Sequence, residues 1–589
     1  MHRLPLSILC VCCGLALFQS SCKKQNGTTS KGGPVSNAQK QNGPSVKGPK
    51  SNIRNKLKQV ADNSKQAYLK PQFVDRAVSL DLQFKPYRDD VPGRFYFPEV
   101  MGAGIGWIDF DLDGFWDIYL GNGDQLVGDS THVNQLFRNL NGTGFANISE
   151  FASPDGSGFT QGIAVGDSNQ DGFEDILVSN FGQTYLLLNQ GDGSFLKTAI
   201  ASGEDESEWK ASCIQVDLDQ DGDLDIFVTC YIDWTVANHH PCTYKGVTGY
   251  CGPGTYEATR DLLFENNGDG TYTEKGLAAG VDYESKGLVV CAGDFNQDRV
   301  PEIYVGSDLT KNAFYVKQPG GFQFKNVADD TGVAASKNGL AEATMGFALR
   351  DFDTDGRLDL FLTHYYQNKN TLYLNQGDLL FKDASYESRI KALSFDSIGF
   401  GTVPVDYDND ADFDLFVSNG HVLGEGIAPF RLKPQLINND RGRFYDISDQ
   451  SGKYFSQEWV GRSVASCDFD NDGDVDIAVG HLDQPMALLV NETVRENRFI
   501  QFQLLALDRR DLVGTRVIVK MGDEERVLPV VRGESYLASV DPRLHIGVGS
   551  AEKVSVTIEW SNGSDSVFAE LATNATWLLD TSGTSHRMD

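Results

Sequence analysis

Four oxygen-bearing side chains set two, two and four residues apart open this reading: Asp109, Asp111, Asp113 and Asp117, with Gly114 between the last two. A D-x-D-x-D-G-x-x-D loop offers side-chain oxygens at positions 1, 3, 5 and 9 and a backbone carbonyl at 7. Glycine at position 6 allows the sharp turn. Hard oxygen donors in a flexible loop suit Ca²⁺, which takes six to eight of them. The Glu that an EF-hand places at position 12 is absent, and the flanking residues read as strands rather than helices.

The loop recurs six times. It begins again at Asp167 (with Asn169, Asp171, Asp175), Asp217 (Asp219, Asp221, Asp225) and Asp294 (Asn296, Asp298, Glu302). It returns at Asp351 (Asp353, Asp355, Asp359), Asp406 (Asp408, Asp410, Asp414) and Asp468 (Asp470, Asp472, Asp476). Of the 28 ligand positions, 26 are acidic, so much of the net charge of −31 is placed rather than scattered. Seven divalent ions would bring that charge to about −17. Without a cation, six carboxylate pairs per loop repel at roughly 1 kcal/mol each even in water. Up to seven Ca²⁺ are therefore expected, and they should stabilise the fold by linkage. The loop at Asp294 should bind most weakly, because Arg299 replaces Gly and Glu302 replaces Asp; the loop at Asp406 has Ala411 for Gly. The alternative is that the carboxylates only cap tight turns through hydrogen bonds.

Such loops need elements to hold them. Each is followed by an apolar run, a variable loop and a hairpin with Asn and Gly at its turn, as in Leu186-Leu187-Leu188-Asn189-Gln190-Gly191. Short β-rich runs between Gly/Asn/Asp turns read as antiparallel strands. Self-similarity at this period with four strands per repeat is the pattern of propeller blades. Fourth strands are expected at Phe145, Phe195, Tyr272, Phe322, Phe381 and Phe444. The seventh repeat stops at its third strand, Met486 to Val490, and Phe73-Val74-Asp75-Arg76-Ala77 supplies the missing one, closing the ring and hiding a sheet edge. The fold class is all-β: a seven-bladed β-propeller over 66–494, then a small, separate β domain over 495–582.

Residues 1–22 read as a lipoprotein-type signal peptide. Arg3 precedes an apolar run from Leu4 to Phe18, and Ser20-Ser21 precede Cys22, the lipidation site. An ordinary secretory signal would lead to the same export. Residues 23–65, rich in Lys, Gln, Asn, Ser and Gly, read as a disordered tether. The expected location is the bacterial cell envelope, as an outer-membrane or cell-surface lipoprotein held to the membrane by its lipid alone. Cys242 and Cys251 are disulfide candidates within an insertion, and Cys213 and Cys230 across a hairpin. The acidic balance, 82 Asp and Glu against 51 Lys and Arg, disfavours nucleic acid as a partner.

The repeated loops resemble those of the integrin α-chain propeller, the FG-GAP or VCBS repeats. Segments of the last domain, among them Gly533-Glu534-Ser535-Tyr536-Leu537 and Asp541-Pro542-Arg543-Leu544-His545, resemble the ASPIC/UnbV domain. Pro98-Glu99-Val100-Met101-Gly102-Ala103-Gly104 and Ser418-Asn419-Gly420-His421 fit the same group, the bacterial relatives of cartilage acidic protein. That resemblance implies a secreted calcium-binding propeller and leaves the substrate open.

If the Asp loops share one face, starts of first strands and ends of second strands meet on the other. Candidate ligand-face residues there are Glu99, Gln161, Lys210, Lys286, His364, His421, Arg462 and His481. The insertion between Tyr231 and Arg260, with Trp234, Tyr244, Tyr250 and Tyr256, is expected to overhang that face and contact sugar or protein. In the last domain Arg516, Arg532, His545 and Trp560 are expected mainly to pack. The leading functional reading is a non-catalytic glycan- or protein-binding adhesion module. The alternative is a lyase-like, polysaccharide-active enzyme whose base is Lys210, Lys286, Arg462 or His421.

Overall fold

The computed structural model describes residues 69–588, apart from 129–131, 153–155, 201–207 and 509–510. The signal peptide, Cys22 and the tether at 23–65 lie outside the described residues. No helix among the described residues is long and apolar enough to cross a membrane.

Seven sheets, each built on four antiparallel strands, follow one another along the chain, and the first gains a short fifth strand in parallel. We number them as blades. Their first strands are Ile105–Ile108, Phe159–Gly166, Lys210–Val216, Gly287–Gly293, Thr344–Arg350, Gly399–Val405 and Gly461–Cys467. Each Asp loop links a first strand to a second, so all seven loops lie at one end of the blades. Blade 7 takes its outermost strand from Phe73–Asp75, which pairs Phe73 with Asn491 and Asp75 with Leu489. First strands are almost wholly buried, as in the blade 4 run Gly-Leu-Val-Val-Cys-Ala-Gly, because they pack against neighbouring blades on both faces. The fourth strand of blade 4 begins at Phe324 rather than Phe322, since Gly320 and Gly321 lengthen its turn.

A register shift recurs near the start of the first strand in blades 2 to 7. In blade 3 it sets Lys210 opposite Cys230 and Cys213 opposite Val228. The cross-hairpin pairing of Cys213 with Cys230 is therefore wrong: both are free, buried thiols, and Cys213 faces Val228, two positions along the strand from Cys230. Cys242 and Cys251 form a disulfide that closes the hairpin Cys242–Tyr244/Val247–Gly249.

The C-terminal domain has two four-stranded sheets. One orders Leu544–Gly549, Arg498–Leu505, Thr576–Asp580 and Ser585–Arg587; the other Glu524–Pro529, Arg516–Met521, Lys553–Glu559 and Asp565–Ala572. Ile500, Phe502, Val517, Val556 and Ile558 form its core. It extends to Arg587, past the expected 582, and it is not separate. Residues 531–541 leave it as a hairpin that runs between the inner strands of the propeller. Arg532 exchanges backbone hydrogen bonds with Ala292 of blade 4, and Ser535 with Phe347 of blade 5. Ala538–Ser539 pairs in parallel with Ile105–Gly106 of blade 1. Leu537 O accepts from Ile163 of blade 2, Asp541 N donates to Ser466 of blade 7, and the Tyr536 ring lies 5.1 Å from Phe400 of blade 6. Gly533 sits against Ile214 of blade 3. Every blade thus touches the hairpin.

The insertion leaves no space for side chains at its turning points. A Cβ on Gly533 (φ +78°) would lie 2.1 Å from Val290 O, and one on Gly104 2.3 Å from Leu537 O. Gly533→Val should cost about 3 kcal/mol or more. Scanning calorimetry is expected to show one transition for the native chain and two for the variant, as tail and propeller uncouple; one unchanged transition would refute the hairpin's coupling role.

Candidate metal centres

Each Asp loop is built by hydrogen bonds before any ion is considered. In blade 1, Asp113 N and Gly114 N donate to the two oxygens of Asp109 at 3.1 Å. Asp117 accepts from Phe110 N at 3.3 Å and, across the sheet, from Asn139 N at 2.7 Å. The pattern repeats at Asp351 and Asp359 with Asp355, Gly356, Phe352 and Asn375. Both positions 4 and 6 take left-handed backbone, as at Leu112 (φ 57°) and Gly114 (φ 83°). Turn capping is thus real, yet it leaves oxygens over. One oxygen each of Asp111, Asp353, Asp408 and Asp470, all at position 3, is buried without a hydrogen-bond partner, as is one each of Asp414 and Asp476 at position 9.

These oxygens converge. Side-chain oxygens lie within 4.8 Å of one another in Asp109/Asp111/Asp117, Asp217/Asp219/Asp225, Asp351/Asp353/Asp355 and Asp406/Asp408/Asp410. Burial raises the carboxyl of Asp117 to about 9, of Asp225 to about 8 and of Asp175 to about 7, and neighbouring carboxylates add to the shift. A hard divalent cation fits this all-oxygen donor set, since it meets the orphaned oxygens and offsets the repulsion. The loop at Asp294 differs. Asn296 Nδ2 donates to Asp298 Oδ2 at 3.0 Å, as Asn169 does to Asp171 in blade 2, and also to Glu302 Oε1 at 2.6 Å, so here an amide takes up the position-9 carboxylate.

The C-terminal domain docks on this loop face. Arg299, in the glycine position of blade 4, reaches Trp560 O, Ser564 O and Asp565. Ala411 O, in the same position of blade 6, accepts from Arg526 at 3.0 Å. Gly547 N donates to Asp406 Oδ2 at 2.8 Å, Arg516 to Gly356 O, and His545 Nε2 lies 2.9 Å from the Asn409 side chain. Arg532 faces Asp511 at 3.3 Å. The two loops that depart from glycine are thus both docking points, and Arg516, Arg532, His545 and Trp560 serve the interface.

The opposite end does not present the expected polar ligand face. Glu99, Gln161, Lys210, Lys286, His364, His421, Arg462 and His481 are all buried. Lys210 Nζ donates to Gly182 O, and Lys286 Nζ to Pro253 O in the insertion. Glu99 accepts from Tyr250 Oη and Arg94, both at 2.9 Å. Burial holds His364, His421 and His481 down to about 4. Arg462 donates to the carbonyls of Val100, Gly420, Gly461 and His421, with its guanidinium 3.9 Å over the Phe400 ring. Tyr536 Oη donates to Met101 O at 3.0 Å. The insertion's Trp234, Tyr250 and Tyr256 are buried too, Trp234 edge-on to Tyr96 and Trp209. The polar strand ends are consumed by packing this end shut.

Three stretches distant in sequence meet here: the Pro98–Gly104 run, Ser418–His421 and the Tyr536 hairpin. The family model for the FG-GAP-like repeat matches residues 109–178, 167–228 and 351–417, and that for ASPIC and UnbV matches 507–586. The chain carries FG-GAP-like repeats and an ASPIC/UnbV domain. It is similar to cartilage acidic protein 1 of Homo sapiens, 22% identical over 507 residues that cover 79% of this chain and 70% of that protein. The Mus musculus protein of that name is 23% identical, with coverages of 68% and 70%. Among solved structures, a lectin of Agrocybe aegerita that recognises non-reducing terminal N-acetylglucosamine matches at 14% identity and a TM-score of 0.36, over 66% of this chain and 95% of that one. A likeness at that score carries no argument for this chain. The Asp294 loop of blade 4 lies outside the matched FG-GAP-like stretches.

One element of the loops escaped the sequence reading. The Asn that ends the third strand is an interblade staple: Asn139 Nδ2 donates to Phe469 O, Asn189 to Phe110 O, Asn375 to Phe295 O, Asn439 to Phe352 O and Asn491 to Tyr407 O. Blade 4 has Lys317 there, and its Nζ reaches Asp219 O at 2.5 Å. The signal was the Asn at a fixed place in six of the seven hairpins, although Asn266 of blade 3 bonds within its own blade, to Leu224 O.

Carboxyls raised in the fold bind protons that the unfolded chain has released above pH 4, so metal-free stability must fall as pH rises from about 5 towards 9. Thermal melts of metal-free protein at pH 5 to 8.5 should show that fall, and saturating divalent cation should flatten it. A metal-free melting temperature that climbs with pH would refute the assignment.

Proposed function

We propose that this chain is an exported, membrane-anchored, calcium-binding β-propeller that acts as a non-catalytic module for an extracellular glycan or protein. The observation that carries the metal is the buried, unpaired position-3 oxygen repeated in four loops. Calcium would be held by positions 1, 3, 5 and 9 of the loops, with the Asp294 loop the weakest. When bound, it supplies positive charge that offsets converged carboxylates and stiffens the face on which the ASPIC/UnbV domain docks.

Export rests on the apolar run Leu4–Phe18 ahead of Cys22, and the Cys242–Cys251 disulfide suits an oxidising compartment. The cell envelope is the corresponding location, with the lipid as the membrane contact. The lyase-like alternative needs a base that substrate can reach, and Lys210, Lys286, Arg462 and His421 are buried against backbone carbonyls and neighbouring loops. That burial weighs towards the binding module.

Calorimetric titration with calcium tests the metal. At a free concentration one thousand times Kd, each site adds about 4 kcal/mol to stability, so chelation should lower the melting temperature by about 10 °C or more. Asp353→Asn is expected to remove one bound ion of the tight class, while Asp298→Ala removes only the weakest. Absence of calcium binding, or a melting temperature indifferent to chelator, would refute the metal assignment.

A further inference from the structure

Blades 6 and 7 are joined by a segment that carries an aromatic platform. Trp459 exchanges backbone hydrogen bonds with Leu432, and its Nε1 donates to Tyr454 O at 3.2 Å, so the indole is pinned at both ends. Two rings stack on it: His481 at 4.6 Å and 10°, and Tyr454 at 4.9 Å and 18°. Those two rings are 6.0 Å apart and joined by a 2.8 Å hydrogen bond between Tyr454 Oη and His481 Nε2. Rings on opposite faces of an indole would be separated by two stacking distances, about 7 Å. Tyr454 and His481 therefore share one face. His481 Nδ1 is 2.7 Å from Pro485 O, which accepts only, so Nδ1 carries the proton and Nε2 accepts from the tyrosine.

Trp459 is half-buried and, with Tyr454, lines the wall of a 660 Å³ cleft. The cleft runs along the closing strand Phe73–Asp75 and the turns at 449–457. Asp449, Gln450, Lys453 and Gln457 stand exposed around it. One carboxylate and one ammonium give these four no net charge, and the two amides each offer both a donor and an acceptor.

We propose that this cleft binds a pyranose residue of a neutral polysaccharide, stacked on Trp459. The C–H face of a pyranose is weakly positive and flat, matching the negative face of the indole. Planar amides around the same cleft suit vicinal hydroxyls, which need a donor and an acceptor side by side. A platform already fixed by its backing rings loses little freedom on binding. The proposal rests on the binding-module reading and names its ligand class and its place, which is neither the insertion nor the buried strand ends.

The test uses the mature chain, residues 23–589, loaded with calcium. Maltohexaose, cellohexaose and chitohexaose are titrated by calorimetry, with hexagalacturonate as the acidic control. At least one neutral hexasaccharide is expected to bind. Trp459→Ala should weaken it at least tenfold, Trp459→Phe less, and Gln457→Ala by a few-fold. Calcium stoichiometry, read on the same samples, should stay unchanged, and the melting temperature should fall for Trp459→Ala, whose indole backs Tyr454 and His481, but not for Gln457→Ala. Binding that survives Trp459→Ala at full strength, binding of the uronate alone, or no binding at all would overturn the proposal. Native protein that binds calcium but no neutral hexasaccharide refutes the cleft and spares the metal; native protein that binds a neutral hexasaccharide but no calcium refutes the metal and spares the cleft.

Discussion

A ring of seven sheets leaves a hole on its axis. The innermost strands face that hole, and their backbone groups and apolar side chains need a partner other than water. Here the partner is the hairpin 531–541, whose backbone bonds to Ala292, Ile105, Ile163, Phe347 and Ser466 give it contact with inner strands around the ring. The propeller and the ASPIC/UnbV domain therefore share one interior. A chain truncated before the last domain would lose the filling of its own axis.

The two ends of the axis are sealed by different physics. At the loop end, carboxylates are crowded by geometry, and the docking domain meets them with backbone N–H groups and arginines, as Gly547 does at Asp406 and Arg526 at Ala411. At the other end, the Arg462 guanidinium is buried against backbone carbonyls rather than a carboxylate. Arg462 keeps its charge through four carbonyls and the face of Phe400, although burial pulls its pKa down to about 9. Removing any of those carbonyl-bearing turns would strand a cation, so that end is held in place by the cost of undoing it.

The proposed binding site accordingly lies at the rim. The strand ends, which in an open propeller would face ligand, are spent on closure, and the aromatics of the insertion are spent on covering them. The Trp459 cleft lies outside this sealed zone, where blade 7 is completed by a strand from the start of the chain. His481 links the two regions: as a strand end it belongs to the buried set, and as the ring behind Trp459 it shapes an open one.

What the sequence determined by itself was everything encoded within about ten residues. The Asp loops are nine residues long, their turns are set by local sterics, and each is flanked by strands of its own hairpin, so the repeat, the blade count and the metal-type donor sets were legible. Even the departures at Arg299 and Ala411 could be read, though not what they were for. Only the tertiary structure decided burial. Cys213 faces Val228, two residues short of Cys230, in a pairing register that composition does not mark. The hairpin around Tyr536 looked like part of a separate domain, because nothing local announces a partner 435 residues away at Met101. Polar side chains at strand ends are written identically whether water or a backbone carbonyl from another blade will meet them. That choice is made by long-range packing, and it turned an expected binding face into the closed end of the axis.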